Sequence, residues 1–137
     1  MTTETYIAAG AVALVVLIIL LLLVRRRRSH KLNVTKFTGR WKSLQSNCAA
    51  RKTWPLAVIE ADNLLNDVLK RRRFKGKTTG ERLVAAQHVL SDNEAVWFGH
   101  KLRNRIAHED VRKIKKQDVL KALSGFRQAL RDLGALR

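Results

Sequence analysis

Leu102-Arg103-Asn104-Arg105-Ile106-Ala107-His108-Glu109 places a fixed cation, a side-chain amide and an imidazole within six residues. An imidazole can take or give a proton near neutral pH, whereas a guanidinium keeps its charge and stabilises an anion. If the segment is helical, Asn104 and His108 stand four apart on one face, and Arg103 lies about 100° to one side of Asn104. One helix end can then hold a phosphate and move a proton. That is the equipment of RNA cleavage without a metal: a group to take the 2′ proton, a group to protonate the leaving oxygen, and positive charge for the phosphorane-like transition state. One histidine does not readily do both proton transfers, so a symmetric dimer that brings two copies together is the natural arrangement. The same residues admit a purely structural reading, in which Arg103 pairs with Glu60, Asp67 or Glu109 and His108 bonds a carbonyl at the helix end. His100, one turn before Asn104, is a weaker candidate for the same groove.

An Arg with a polar residue after it and a His five positions on resembles the R-x4-6-H signature of the HEPN family of small helical nucleotide-binding domains. Arg103 and His108 match the signature, Asn104 matches the polar position after the Arg, and the resemblance covers roughly residues 54–134. It implies a ribonuclease in which the motif lies at a dimer interface, cleavage is metal-independent and the 2′-OH is the nucleophile. Arg103, Asn104 and His108 are therefore the expected catalytic residues. Single-stranded RNA is the expected substrate, and an inhibitory partner protein is kept as a candidate. Many HEPN domains bind without cutting, so the alternative is a non-catalytic module that holds RNA, a nucleotide or an acidic partner.

The elements that must position this motif are read from apolar spacing. Ser91-x-x-Glu94 has the form of a capping box and starts the motif helix near Asp92, with Val96, Gly99, Leu102 and Ile106 on its apolar face. Trp97 and Phe98 flank that face and are expected as core or dimer contacts. Thr78-x-x-Glu81 opens the helix before it. Further upstream, Thr53-Trp54-Pro55 starts a helix to about Arg72, since Thr is a good N-cap and Pro is tolerated in the first turn. Ala57, Ala61, Leu64, Leu65 and Val68 line its buried stripe, and Glu60, Asn63 and Asp67 form a polar face, either solvated or paired with a basic residue of the motif. Phe37, Trp41, Leu44 and Cys48 make an apolar seam on a helix that Thr35 or Thr38 could cap. That seam leaves open whether this helix joins the bundle or continues as a stalk. Asp118 or Gln117 begins the last helix, with Val119, Leu123, Phe126, Leu130 and Leu133 inward and Gly134 as its C-terminal cap. No β-period alternation is visible. The expected fold is all-α: an N-terminal transmembrane helix and a small antiparallel bundle of four or five helices.

Ile7 to Val24 is eighteen residues without a charge, ~27 Å as a helix, which matches a bilayer core. Arg25, Arg26, Arg27 and Arg28 follow it and nothing basic precedes it, the reverse of a cleaved signal peptide. The positive-inside rule then puts residues 1–6 outside, 7–24 across the cell membrane, 25–36 as a basic juxtamembrane linker on anionic headgroups, and 37–137 in the cytoplasm. RNA contact at the four arginines is the less expected use of them.

The chain has 28 Lys and Arg against 11 Asp and Glu, and only Glu4 is charged before Arg25, so the remainder carries 28 − 10 = +18. Such a field attracts polyanions. Arg71, Arg72, Arg73, Lys75, Lys101, Arg105, Lys115 and Lys116 are the candidate phosphate contacts, with a solvated face as the plainer reading of each run. No cofactor is expected: Gly76-x3-Gly80 lacks the Gly-Lys-Ser/Thr of a P-loop. Nor is a metal, since His100 and His108 are eight apart, with no H-E-x-x-H and no Cys or carboxylate at ligand spacing. Lone Cys48 excludes an internal disulfide and reads as a small apolar residue in a reducing compartment.

Overall fold

A run of eighteen apolar residues gives a helix no polar side, and Thr3–Arg27 (α1) forms such a helix in the computed structural model, which describes residues 2–27, 31–109 and 114–137. Its apolar stretch Thr3–Val24 is 22 residues, ~33 Å at the helical rise, long and apolar enough to cross a membrane. Arg25, Arg26 and Arg27 form its last turn; their side chains, and Arg28 altogether, lie outside the described residues. The chain divides into two units, residues 1–31 and 32–137.

The second unit holds α2 (Val34–Ser46), α3 (Trp54–Arg71), α4 (Thr79–Ala86), α5 (Asn93–His108) and α6 (Lys116–Asp132), with a 3₁₀ turn at Arg51–Thr53 and no strand among the described residues. α3 is the central helix and packs against α2, α4, α5 and α6. Its stripe Ala57, Val58, Ala61, Leu64, Leu65, Val68 and Leu69 is fully buried. α2 joins this bundle: Phe37, Trp41 and Leu44 are buried in the same core, each contributing ~2 kcal/mol of apolar burial. Its cap is Asn33, whose Oδ1 accepts from the Lys36 N–H at 3.0 Å, and not Thr35 or Thr38. Arg40 adds an ion pair to Asp67 of α3 at 2.8 Å.

α5 and α6 form the closest pair, because each offers a glycine where the other's chain crosses. A Cβ on Gly125 would stand 2.5 Å from the carbonyl of Ala95, and one on Gly99 would stand 2.8 Å from the ring of Phe126. Asp92 caps α5, accepting from the Ala95 N–H at 3.0 Å. Ser91 is not that cap: its N–H and hydroxyl both go to Asp132 at 2.8 Å, tying the loop to the end of α6. Thr78 caps α4 through the Glu81 N–H at 3.2 Å, and Glu81 reaches back to the Lys77 N–H. At α3, Thr53 sits at the cap position but spends its hydroxyl on the carbonyls of Asn47 and Ala50.

The C-termini of α3 and α6 close in the same way. Phe74 N–H reaches the Leu69 carbonyl (3.1 Å) and Arg73 N–H that of Lys70 (2.9 Å); Ala135 N–H reaches Leu130 (2.8 Å) and Gly134 N–H Arg131 (2.9 Å). These are Schellman closures, with Arg73 (φ 63°) and Gly134 (φ 75°) in the left-handed region. Arg72 links the two ends, donating from Nε to the Leu133 carbonyl at 2.8 Å.

Candidate functional site

α5 carries the motif because its apolar positions face α3 and α6. With Val96, Gly99 and Leu102 buried, the helical step turns His100, Arg103 and Asn104 along the edge of the α3 contact. What they meet there is Asp62. This carboxylate lies on α3 in line with Val58, Leu65 and Leu69, at spacings of four, three and four, and is 1% exposed.

Four side chains form a ring. His100 Nδ1 lies 2.7 Å from Asp62 Oδ1, so the ring nitrogen donates to the carboxylate. Its other nitrogen, Nε2, faces Asn104 Nδ2 at 3.4 Å. Asn104 Oδ1 accepts from Arg103 Nη1 at 3.2 Å. Arg103 Nε returns to Asp62 Oδ2 at 3.5 Å, an ion pair that closes the ring. The directions of its three hydrogen bonds agree when the imidazole carries a proton on Nδ1 and accepts on Nε2, and the fourth link is the ion pair alone. The His100 imidazole is also packed: Trp97 meets it edge-on at 5.8 Å.

The ring therefore joins Arg103 and Asn104 to His100 and Asp62. His108 is the last residue of α5 and exposed, and its side chain makes no hydrogen bond among the described residues. Glu60 and Asp67 take other partners, Asn47 (2.8 Å) and Arg40. Asp62 is the residue that sequence reasoning missed. The available signal was a charge set in the middle of an apolar stripe, Val58, Asp62, Leu65 and Leu69, where an unpaired carboxylate would be costly.

The basic candidates divide by what each side chain does. Lys75, Lys101, Arg105, Lys115 and Lys116 are exposed. Arg71 is exposed as well and lies over the Phe37 ring at 5.8 Å. Arg72 is half-buried and bonded to α6. Arg73 is exposed at its left-handed turn. Phe98 is half-buried under the Lys121 ammonium, 4.5 Å from the ring centre. A groove of 570 Å³ between α2 and the C-terminal segment, lined by Trp41, Lys42 and Arg127 among others, contains none of the motif residues. Burial pushes the Cys48 thiol up, away from the thiolate form. No cluster of three or more His, Cys, Asp or Glu able to hold a metal occurs among the described residues.

Compared with models of protein families, with curated proteins and with solved structures, the chain matches none.

Proposed function

We propose that the protein is a membrane-anchored, cytoplasm-facing, metal-independent RNA endonuclease of HEPN type that works as a dimer, with Arg103, Asn104 and His108 at its site. The observation that carries this is the contrast along one helix end: Arg103 is held from behind by Asp62 and Asn104, while His108, on the last turn, is exposed. A held guanidinium suits a phosphate, and an accessible imidazole suits proton transfer. Five residues of helix turn through about 140° beyond a full circle, so Arg103 and His108 of one copy diverge. That divergence supports a site completed by a second copy. Arg25 to Arg28 following the apolar helix support the cytoplasmic orientation.

The test is incubation of the full chain in detergent with single-stranded RNA and excess EDTA, beside His108→Ala and Arg103→Ala. Cleavage leaving 2′,3′-cyclic phosphate ends, lost by at least ~100-fold in either variant, is expected. Equal activity in all three, or none in any, overturns the proposal.

One observation favours a second reading, the binding module without cleavage. Arg103 and Asn104 already form an internally bonded ring with His100 and Asp62, and such a ring can hold an anion without moving a proton. RNA binding by a wild-type chain that cuts nothing, unchanged in His108→Ala, would select it.

A further inference from the structure

Arg103 has five N–H groups in a planar fork. The Nε–H faces Asp62 Oδ2, and one N–H of Nη1 goes to Asn104. Nε is shut off from solvent and has no hydrogen bond, so the Asp62 charge is what it faces. Three N–H groups remain at the outer end of a side chain 30% exposed. Two terminal nitrogens in one plane match two oxygens of one phosphate, a fit that a lysine ammonium cannot reproduce.

We propose that Asp62 and His100 are positioning residues for Arg103: the buried carboxylate, oriented by the imidazole, turns the guanidinium so that Nη1 and Nη2 present a two-pronged seat for a single phosphate. This rests on the reading of Arg103 as the phosphate-holding residue of the site. The division of labour at Asp62 supports it. Oδ1 goes to His100 and Oδ2 to Arg103, so the carboxylate cannot rotate without breaking one partnership. His100 is itself buried and packed edge-on against Trp97, so the carboxylate's orienting partner is held in turn behind one flexible side chain. Neither Asp62 nor His100 needs to touch RNA, and both are too buried to do so.

The experiment is arginine side-chain NMR on the full chain in detergent, with the Arg103 signal assigned by Arg103→Lys and inorganic phosphate as the probe. In the wild type the Arg103 Nε–H is expected to exchange with water at least about tenfold more slowly than that of exposed Arg105. Phosphate should move the Arg103 Nη signals and leave those of Arg127, exposed and on α6, in place. Asp62→Asn should abolish the protection and weaken the phosphate response at least about tenfold. His100→Asn, whose amide NH₂ can stand in for Nδ1–H, should keep both effects, and His100→Ala should lose them. A folded Asp62→Asn chain with unchanged exchange and phosphate response overturns the inference. So does a wild-type Arg103 that exchanges as fast as Arg105, which decides the matter even if Asp62→Asn fails to fold. An intact Arg103 signature in a wild-type chain that cleaves no RNA would sink the nuclease reading and leave this one standing.

Discussion

Asp62 and Asp67 lie five residues apart on α3, each paired with an arginine, yet their energetics differ in kind. Asp62 is 1% exposed and faces two partners that would be stranded by its loss. Asp62→Ala is expected to destabilise the bundle by about 3–5 kcal/mol. Asp67 and Arg40 are both near 40% exposed as side chains, and Asp67→Ala should cost no more than ~1 kcal/mol. Urea denaturation of the two variants measures the difference. A third carboxylate adds a pH signature. Burial pushes the Asp132 carboxyl up, but hydrogen bonds from the Ser91 N–H, the Ser91 hydroxyl and Gln128 outweigh it and hold the group below its usual range. A depressed folded value means stability that is fully present above the unfolded value, near 3.9, and lost as pH falls through the folded one. The wild type should therefore lose more stability than Ser91→Ala between pH 5 and pH 2.5, read as urea midpoints. At this scale the sequence is uneven. The helical relation of Arg103, Asn104 and His108 follows from spacing, whereas the ring that the structure forms takes in Arg103 and Asn104 with His100 and Asp62 and leaves His108 apart. Asp62 was visible only as a charge within an apolar stripe, and its partner could not be read, because His100 is 38 residues away and only the packing of α3 on α5 brings them together.

Among the helices, the apolar periodicity carried the most information. Phe37, Trp41 and Leu44 and the α6 series Val119, Leu123, Phe126 and Leu130 are buried as their spacing requires, while Cys48, the fourth residue of the first seam, lies past the end of α2 and is half-buried. Caps were less legible, because several residues in a row could serve. Ser91 and Asp92 both precede α5, and the choice between them is made by Asp132, a tertiary partner. Glycines divide by the same logic. Gly125 and Gly39 both sit inside helices, where alanine would by itself be preferred by ~0.5–1 kcal/mol. Gly39→Ala meets nothing within 4 Å and should stabilise by about that amount. Gly125→Ala drives a methyl onto the Ala95 backbone at 2.5 Å, where no side chain can give way, and should destabilise by about 1–3 kcal/mol or more. Opposite shifts in melting temperature check the pair. Equal shifts would mean that the α5–α6 crossing is looser than described.

The whole chain combines one uncharged apolar stretch, residues 7–24, with an excess of +18 on everything from Arg25 onward. Charge says that a polyanion is attracted, but its placement decides which residues touch one. If RNA is the polyanion, each phosphate neutralised releases condensed counterions, and log K against log salt falls with a slope of roughly −0.7 per contact on a single strand. Lys101 and Arg105 are exposed on the motif helix. Lys101→Ala and Arg105→Ala should each make that slope shallower by about 0.7 and leave the melting temperature unchanged. Arg72, from the basic run Lys70-Arg71-Arg72-Arg73, should behave in the opposite way. Its guanidinium is committed to the Leu133 carbonyl that joins the ends of α3 and α6, so Arg72→Ala should lower stability by ~1–3 kcal/mol and leave the slope nearly unaltered. Fluorescence anisotropy of a labelled single-stranded RNA at 50 to 300 mM salt, beside thermal melts of the same variants, measures both quantities. If Lys101→Ala, Arg105→Ala and Arg72→Ala shift the slope alike, binding follows the net charge of the chain and the face around α5 has no special part in it.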